Sequence, residues 1–264
     1  MNIIVCVKQV PETNKVKIDP NTGTLIREGI PTFMNPDDKH ALLEAVRIKN
    51  EKGGKVIALS MGPPQAEETL REALALGADE AILLCDRAFA GSDTWATSIA
   101  LGYAIQKIKD YDLLLFGRQA IDGETAHVGP ETAEFLDTPQ ITYAQNIEVG
   151  GDKIKVERQL EDGYEIIESF LPCLVTCSSD INELEYPKLN GIKEAYRNKE
   201  VKVWNAADIK VDKSKIGLEN SPTSVLKTFS PSAKGQGQIL KGSSKEVAGK
   251  VVSILKEKEL IGGI

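Results

Sequence analysis

Only two histidines, His40 and His127, and four cysteines, Cys6, Cys85, Cys173 and Cys177, occur among 264 residues. The histidines lie far apart and no cysteines form a CxxC pair, so a structural zinc site or a histidine-based catalytic triad lacks its raw material. No metal site is expected. Aromatic residues make up 5% of the chain, too few to favour stacking on nucleic acid, and no nucleic-acid partner is expected. No apolar run approaches the ~18 residues of a membrane span, so no membrane insertion is expected. The opening stretch MNIIVCVKQVPET runs straight into Lys8 and Gln9, with no basic leader before it and no small-residue cleavage site after it. A reducing, cytoplasmic location is the expectation. The phosphate-binding patterns GxGxxG and GxxxxGK[ST] are missing too.

What the chain has is enough apolar residue to bury a core. At 41% apolar and 27% charged, with ~150 residues per domain as a guide, it reads as one large domain or two small ones. The net charge of −7 is unevenly placed: residues 1–187 carry 17 basic and 31 acidic side chains, and residues 188–264 carry 15 and 8. The basic end is either a tail lying on an acidic surface, its own or a partner's, or a solvated lysine-rich extension.

Up to about residue 145 the text alternates two patterns. Ile3–Val7, Val56–Leu59, Ala81–Leu84 and Leu113–Phe116 are nearly continuous apolar runs, as in strands buried on both faces of a parallel sheet. Asp37–Lys52, Gln65–Leu76, Asp93–Lys109 and Val128–Leu136 read as the crossover helices, with Asp93 as an N-cap. The fold class is therefore α/β: an open, mostly parallel sheet with helices on both faces, Rossmann-like. A hairpin is expected in the insertion Pro11–Asn35, from Lys15–Ile18 and Thr24–Arg27, and a second in the β-rich stretch Ala144–Thr176, from Lys153–Leu160 and Tyr164–Phe170. Periodicity then fades until a last helix, where Ser243 and Glu246 form a capping box. The division expected is a binding domain over 1–187 and a partner-binding arm with a terminal helix over 188–264, the arm itself running to about 242.

Ligands of open α/β sheets bind at the carboxyl ends of the strands. The segments expected there are Lys8–Pro11, Ser60–Gln65, Asp86–Thr94 and Gly117–Gly129. Ser60-Met61-Gly62 is either an ordinary βα turn or a loop small enough for a pyrophosphate to reach free N–H groups. Gly117–Thr125 has more polar length than a connection needs, which points to binding; Arg118 within it either meets a ligand or neutralises nearby carboxylates. Phe89 is either a lid or a loop anchor. No nucleophile stands beside a positioned base, so no catalytic residue is expected and a cofactor would have to carry any reaction.

Several separated segments resemble the β subunit of electron transfer flavoprotein: Val7-Lys8-Gln9-Val10-Pro11, Asn35-Pro36-Asp37-Asp38, Met61-Gly62-Pro63-Pro64-Gln65, Ala73–Asp79 and Gly117–Gly123. The likeness runs nearly end to end. It implies an adenine-nucleotide-binding fold, of the adenine nucleotide alpha hydrolase-like kind, in a heterodimer with an α subunit. In ordinary members the pocket holds AMP, and in electron-bifurcating members a second FAD that NADH reduces. The pocket residues it implies are Cys6, Val7, Lys8, Asn35, Pro36, Asp37, Asp38, Met61, Gly62 and Pro63, with Gly123, Glu124, Thr125, Ala126, His127, Val128, Gly129, Pro130, Glu131, Thr132, Ala133 and Glu134.

Asp86–Thr94 and Ser60–Gln65 are similar to the segments that bifurcating members place around the extra flavin and NADH. That adds Asp86, Phe89, Gly91, Asp93 and Thr94, gives Arg118 to the flavin, and gives the Gly62 loop to the NADH pyrophosphate. The implied flow is from NADH to ferredoxin or flavodoxin and, through the α-subunit FAD, to an acyl-CoA dehydrogenase. Tyr186–Ile192 resembles the family's recognition loop, whose leucine, Leu189 here, enters a pocket on the dehydrogenase; Asn190 stands where the family often has proline. The alternatives are a non-bifurcating carrier with structural AMP and a nucleotide-binding regulatory module without redox chemistry.

Overall fold

The central strands alternate their side chains between two separate cores, which is why they read as unbroken apolar runs. Ile3 and Val5 join one core with Leu42, Leu70 and Leu74, while Ile4 and Cys6 join the other with Ile99, Ala100 and Ala133. Each fully buried leucine of this kind stabilises the fold by about 1.5–3 kcal/mol. The computed structural model describes residues 1–12, 31–226 and 237–261, with the backbone alone of 17–18 and 25–26.

The strands are β1 (Asn2–Cys6), β2 (Gln9–Pro11), β3 (Lys17–Ile18), β4 (Leu25–Ile26), β5 (Thr32–Met34), β6 (Lys55–Met61), β7 (Glu80–Leu84), β8 (Leu113–Gly117), β9 (Gln140–Gly150), β10 (Lys153–Gln159), β11 (Tyr164–Phe170), β12 (Cys173–Cys177) and β13 (Val201–Trp204). The α-helices are α1 (Pro36–Lys52), α2 (Glu67–Leu76), α3 (Thr94–Ile108), α4 (Val128–Phe135), α5 (Leu189–Arg197) and α6 (Ser244–Glu257). Nine strands form one sheet in the order β11-β10-β9-β12-β8-β1-β6-β7-β13. From β9 to β13 every pairing is parallel, and β10 and β11 add an antiparallel edge. α1 and α2 cover one face and α3 and α4 the other, so the expected α/β architecture holds.

Asp93 caps α3 as expected, its Oδ1 accepting the Ala96 N–H at 3.0 Å. Ser243 and Glu246 complete the capping box of α6. The first hairpin is present as the pair β3–β4; Lys15, Val16, Thr24, Arg27 and the intervening turn lie outside the described residues. β2 and β5 form a further antiparallel pair that closes the same insertion. All four cysteines are free, and Cys6, Cys173 and Cys177 are buried. Among the described residues no helix is long and apolar enough to cross a membrane.

The stretch from 188 differs from the expected arm. The chain divides into a unit Met1–Val225 and a unit Leu226–Ile264, so the segment after 187 supplies the first unit with α5, packed on α2, and with β13, paired along β7. Its strand is hard to read because it lies at a sheet edge: Val201 is buried while Lys202 and Val203 are exposed.

Candidate functional site

Every parallel strand ends at the same edge of the sheet, so the loops after β1, β6, β7 and β8 gather there. The chain leaves β1 for β6 and β7 and returns to β8 on the opposite side of β1. That reversal opens a crevice between the carboxyl ends of β1 and β8. Asp38, in the first turn of α1, bridges it. Its Oδ2 accepts the Lys8 N–H at 2.8 Å and its Oδ1 the Gly117 N–H at 3.1 Å. A Cβ on Gly117 would collide with the Asp38 carboxylate and with the backbone of Asp37 and Asp38, so β8 must end in glycine for α1 to come this close. Burial pushes the Asp38 carboxyl up to about 7, with hydrogen bonds from Asn35, Lys8 and Gly117 and the charge of Lys8 acting against it.

Asn35 occupies the N-cap position of α1, yet its side chain makes no cap bond. Its Nδ2 donates to Gln119 O at 2.8 Å and its Oδ1 accepts the Ile121 N–H at 3.1 Å. The amide thus fixes the loop that follows β8, while Pro36 and the first-turn acids Asp37 and Asp38 start the helix. Lys8 Nζ pairs with Asp122 at 2.7 Å across the mouth. Arg118 is held by its backbone N–H on Cys177 O at 2.8 Å, and its Nε lies 3.5 Å from Asp37 Oδ2. That Nε is buried without a hydrogen-bond partner.

Beyond Arg118, Gly123 and Glu124 both donate their N–H to Ala120 O. Glu124 at φ 48° and Ala126 at φ 56° hold left-handed backbone, which costs about 1–3 kcal/mol each and is characteristic of binding loops. The loop delivers the chain to α4, whose N-terminus carries no side-chain cap. Gly129 lies against Thr176, where a Cβ would come to 2.8 Å of Cγ2. Glu131 accepts from Thr94 Oγ1 at 3.1 Å and from Ser98 Oγ at 3.3 Å, tying the starts of α3 and α4 together.

Thus Lys8, Asn35, Asp37, Asp38, Arg118 and the Gly123–Glu131 segment come together at the mouth. Others on the expected set are placed differently. Cys6, Val7, Phe89 and Ala133 are buried in the two cores, and Thr132 Oγ1 is bound to Val128 O at 2.7 Å, so these side chains hold the frame. Pro36 is the first residue of α1; Thr125 Oγ1 accepts the His127 N–H at 3.4 Å, and His127 and Glu134 are exposed.

After β6, Gly62 donates to Leu84 O at 3.1 Å, and Pro63 O accepts the Ala66 N–H at 2.9 Å. Gln9 Nε2 reaches Gln65 O at 2.9 Å, joining this loop to the one after β1. Met61 is half-buried at the strand end, and the neighbouring Ser60 Oγ is buried without a partner. After β7, Asp86 accepts from Ala88 N and Ala206 N at 3.0 and 3.1 Å, and Asp93 Oδ2 accepts from Thr223 N and Oγ1 at 2.9 and 2.7 Å. Hydrogen bonds hold the Asp86 carboxyl below its ordinary range; at Asp93 burial is the largest single influence and acts upward, but the hydrogen bonds from Ala96, Thr223 and Ser221 together outweigh it and lower the carboxyl. Gly91, at φ +73°, sits under Leu218. The Asp86–Thr94 loop is therefore fastened to residues 206–223, with Phe89 as its anchor.

The thiols are chemically quiet: burial, then the charge of Asp38, pushes Cys6 up, and burial does the same to Cys177. No group of three potential metal-ligating His, Cys, Asp or Glu residues occurs among the described residues. Gly117, Gln119 and Asp122 also border the crevice, within the expected segment Gly117–Gly129 although none is singled out there by its residue type. The signal for Asp122 was present in the polar excess of that loop; its pairing with a lysine 114 residues away was not.

Comparison with known proteins shows the family of the chain. The family model described as electron transfer flavoprotein domain matches residues 22–209. The chain is 56% identical over 261 residues to an electron transfer flavoprotein subunit beta of Thermoanaerobacterium thermosaccharolyticum, covering 99% of this chain and 100% of that one. It is 54% identical over 263 residues to the caffeyl-CoA reductase-Etf complex subunit CarD of Acetobacterium woodii, with 99% and 100% covered. It is also 46% identical over 269 residues to the acryloyl-CoA reductase electron transfer subunit gamma of Anaerotignum propionicum, again with 99% and 100% covered.

Proposed function

Since the chain belongs to the electron transfer flavoprotein family, as a β subunit, we propose that its switch-point crevice holds the adenylate and phosphate portion of FAD and that the heterodimer bifurcates electrons from NADH. The observation that carries this reading is the donor set at the mouth. The uncapped α4 N-terminus, reached through the left-handed residues Glu124 and Ala126, and the partly exposed guanidinium of Arg118 are groups that can meet a phosphate. Full-length similarity to subunits named for two CoA-reductase complexes supports electron delivery to an acyl-CoA dehydrogenase.

The flavin, when bound, supplies the two-electron to one-electron chemistry. The chain's own residues bind and orient. Arg118 and the backbone of Gly123–Gly129 would meet the phosphates, and Asn35 keeps the loop after β8 in place through its two amide bonds. Asp38 sets the spacing of the β1 and β8 ends. The loop Met61–Pro63, tied to Gln9 through Gln65, is the place we assign to the NADH pyrophosphate. The partners in this reading are the α subunit, an acyl-CoA dehydrogenase met by Leu189, and ferredoxin or flavodoxin, all in the cytoplasm.

The test is a cofactor count. The chain is co-produced with its α subunit, the heterodimer is purified anaerobically, and the nucleotides are released by acid and separated. Two FAD and no AMP per heterodimer is the expected result; one FAD with one AMP would replace this reading by that of an ordinary carrier with a structural nucleotide.

A further inference from the structure

α5 is amphipathic the wrong way round for a helix that docks by its own apolar face. Leu189, Ile192 and Tyr196 are 82%, 38% and 55% exposed, and their spacing of three and four residues puts them on one outward stripe. Ala195 is the buried residue of the helix. A nine-residue helix with so little apolar burial does not hold its place by hydrophobic contact, so something else must fix it on α2.

Polar contacts to α2 do this, and one side chain dominates them. Arg71 Nη1 donates to Ala195 O and to Lys199 O, each at 2.6 Å. Its Nε and Nη2 donate to Glu67 Oε1 at 3.1 and 2.8 Å, which fixes the guanidinium plane. The same group lies 5.9 Å from the centre of the Tyr196 ring, and the Tyr196 hydroxyl donates to Glu68 at 2.7 Å. A cation on the last-turn carbonyls also complements the helix dipole. At the other end, Gly191 comes so close to Ala75 O that no Cβ fits between them.

We infer that Arg71 is a positioning residue for electron delivery: it locks α5 on α2 and so holds Leu189, Ile192 and Tyr196 as a rigid apolar stripe for the acceptor dehydrogenase. This rests on the reading of Leu189 as the dehydrogenase contact. A planar fork with five donors suits the task, because one side chain reaches two carbonyls, a carboxylate and an aromatic face together. Lysine in its place satisfies the carbonyls but releases Glu67 and the ring.

The experiment uses the heterodimer with an acyl-CoA dehydrogenase purified from the same organism as titrated acceptor, and compares Arg71→Ala, Arg71→Lys and Leu189→Ala. For R71A, KM for the acceptor should rise about tenfold while kcat and flavin content stay within about twofold. R71K should fall between R71A and the unaltered protein. Hydrogen exchange of the amides of 192–198 should speed up in R71A, with those of β1 and β8 unchanged. If L189A raises KM and both Arg71 variants leave it unaltered, the positioning role is overturned and the docking reading survives. If L189A leaves KM unaltered, the docking reading itself fails. Should R71A not assemble, R71K decides alone: an unaltered KM overturns the inference, and a raised KM at unchanged flavin content supports it.

Discussion

Asp38 reaches from the first turn of α1 to the end of β8, where its Oδ1 accepts the Gly117 N–H at 3.1 Å. With the bond from Lys8 N at 2.8 Å to the other oxygen, one buried carboxylate joins the two strands that border the crevice. Its carboxyl is pushed up to about 7 by burial. A raised carboxyl favours the folded state fully below the unfolded value of about 4, and that contribution is lost as pH rises to about 7. Over this window it amounts to about 4 kcal/mol. Asp38→Asn removes the titration, so the difference in Tm between the natural protein and D38N should shrink from pH 4 to pH 8. A difference that stays constant with pH would show that Asp38 titrates in its ordinary range.

Gly117→Ala tests the close approach itself. The added methyl meets the Asp38 carboxylate and the start of α1, and overpacking of this sort costs about 1–3 kcal/mol. Thermal unfolding should show that loss, and the purified heterodimer should contain less nucleotide. Unchanged Tm and nucleotide content would mean that α1 can move away freely.

Arg118→Ala separates binding from stability. The Arg118–Asp37 pair is partly exposed, at 38% for the arginine side chain, and such a pair contributes about 0–1 kcal/mol to folding. Nucleotide content of the heterodimer should fall several-fold while Tm hardly moves. If flavin content and NADH reactivity are both retained, Arg118 has no part in holding the cofactor.

Leu189→Ala should leave Tm unchanged, because a side chain 82% exposed contributes little to the core. Electron transfer to the acyl-CoA dehydrogenase should drop about tenfold or more at unchanged flavin content, as for a central interface anchor. Full transfer in stopped-flow measurement would remove the leucine from the interface.

Much of this architecture is legible in the sequence because two periodicities alternate. β1, β6, β7 and β8 are buried on both faces and so appear as apolar runs, and Asp93 and Ser243 mark helix starts by local chemistry that the structure retains. β13 escapes because an edge strand with Val203 exposed has no regular pattern. α5 escapes for the opposite reason: its large apolar residues Leu189 and Ile192 are exposed, and its buried residue is the small Ala195. At the site, the segments that gather could be read from the rule of strand ends. The pairings Lys8 with Asp122 and Arg71 with Lys199 could not, since each depends on residues more than 100 positions apart that only the completed fold brings together. Asn35 is instructive in the same way, because its place before α1 suggests a helix cap and its side chain instead secures the loop after β8.

The most direct measurement is an anaerobic titration of the heterodimer with NADH, followed through the flavin absorbance. If the crevice holds a flavin that NADH reduces, the flavin absorbance should bleach rapidly and beyond what one flavin accounts for, and Arg118→Ala should reduce the extra bleaching several-fold. No bleaching by NADH, with one AMP recovered from each heterodimer, would contradict the account and leave the crevice as a structural nucleotide site.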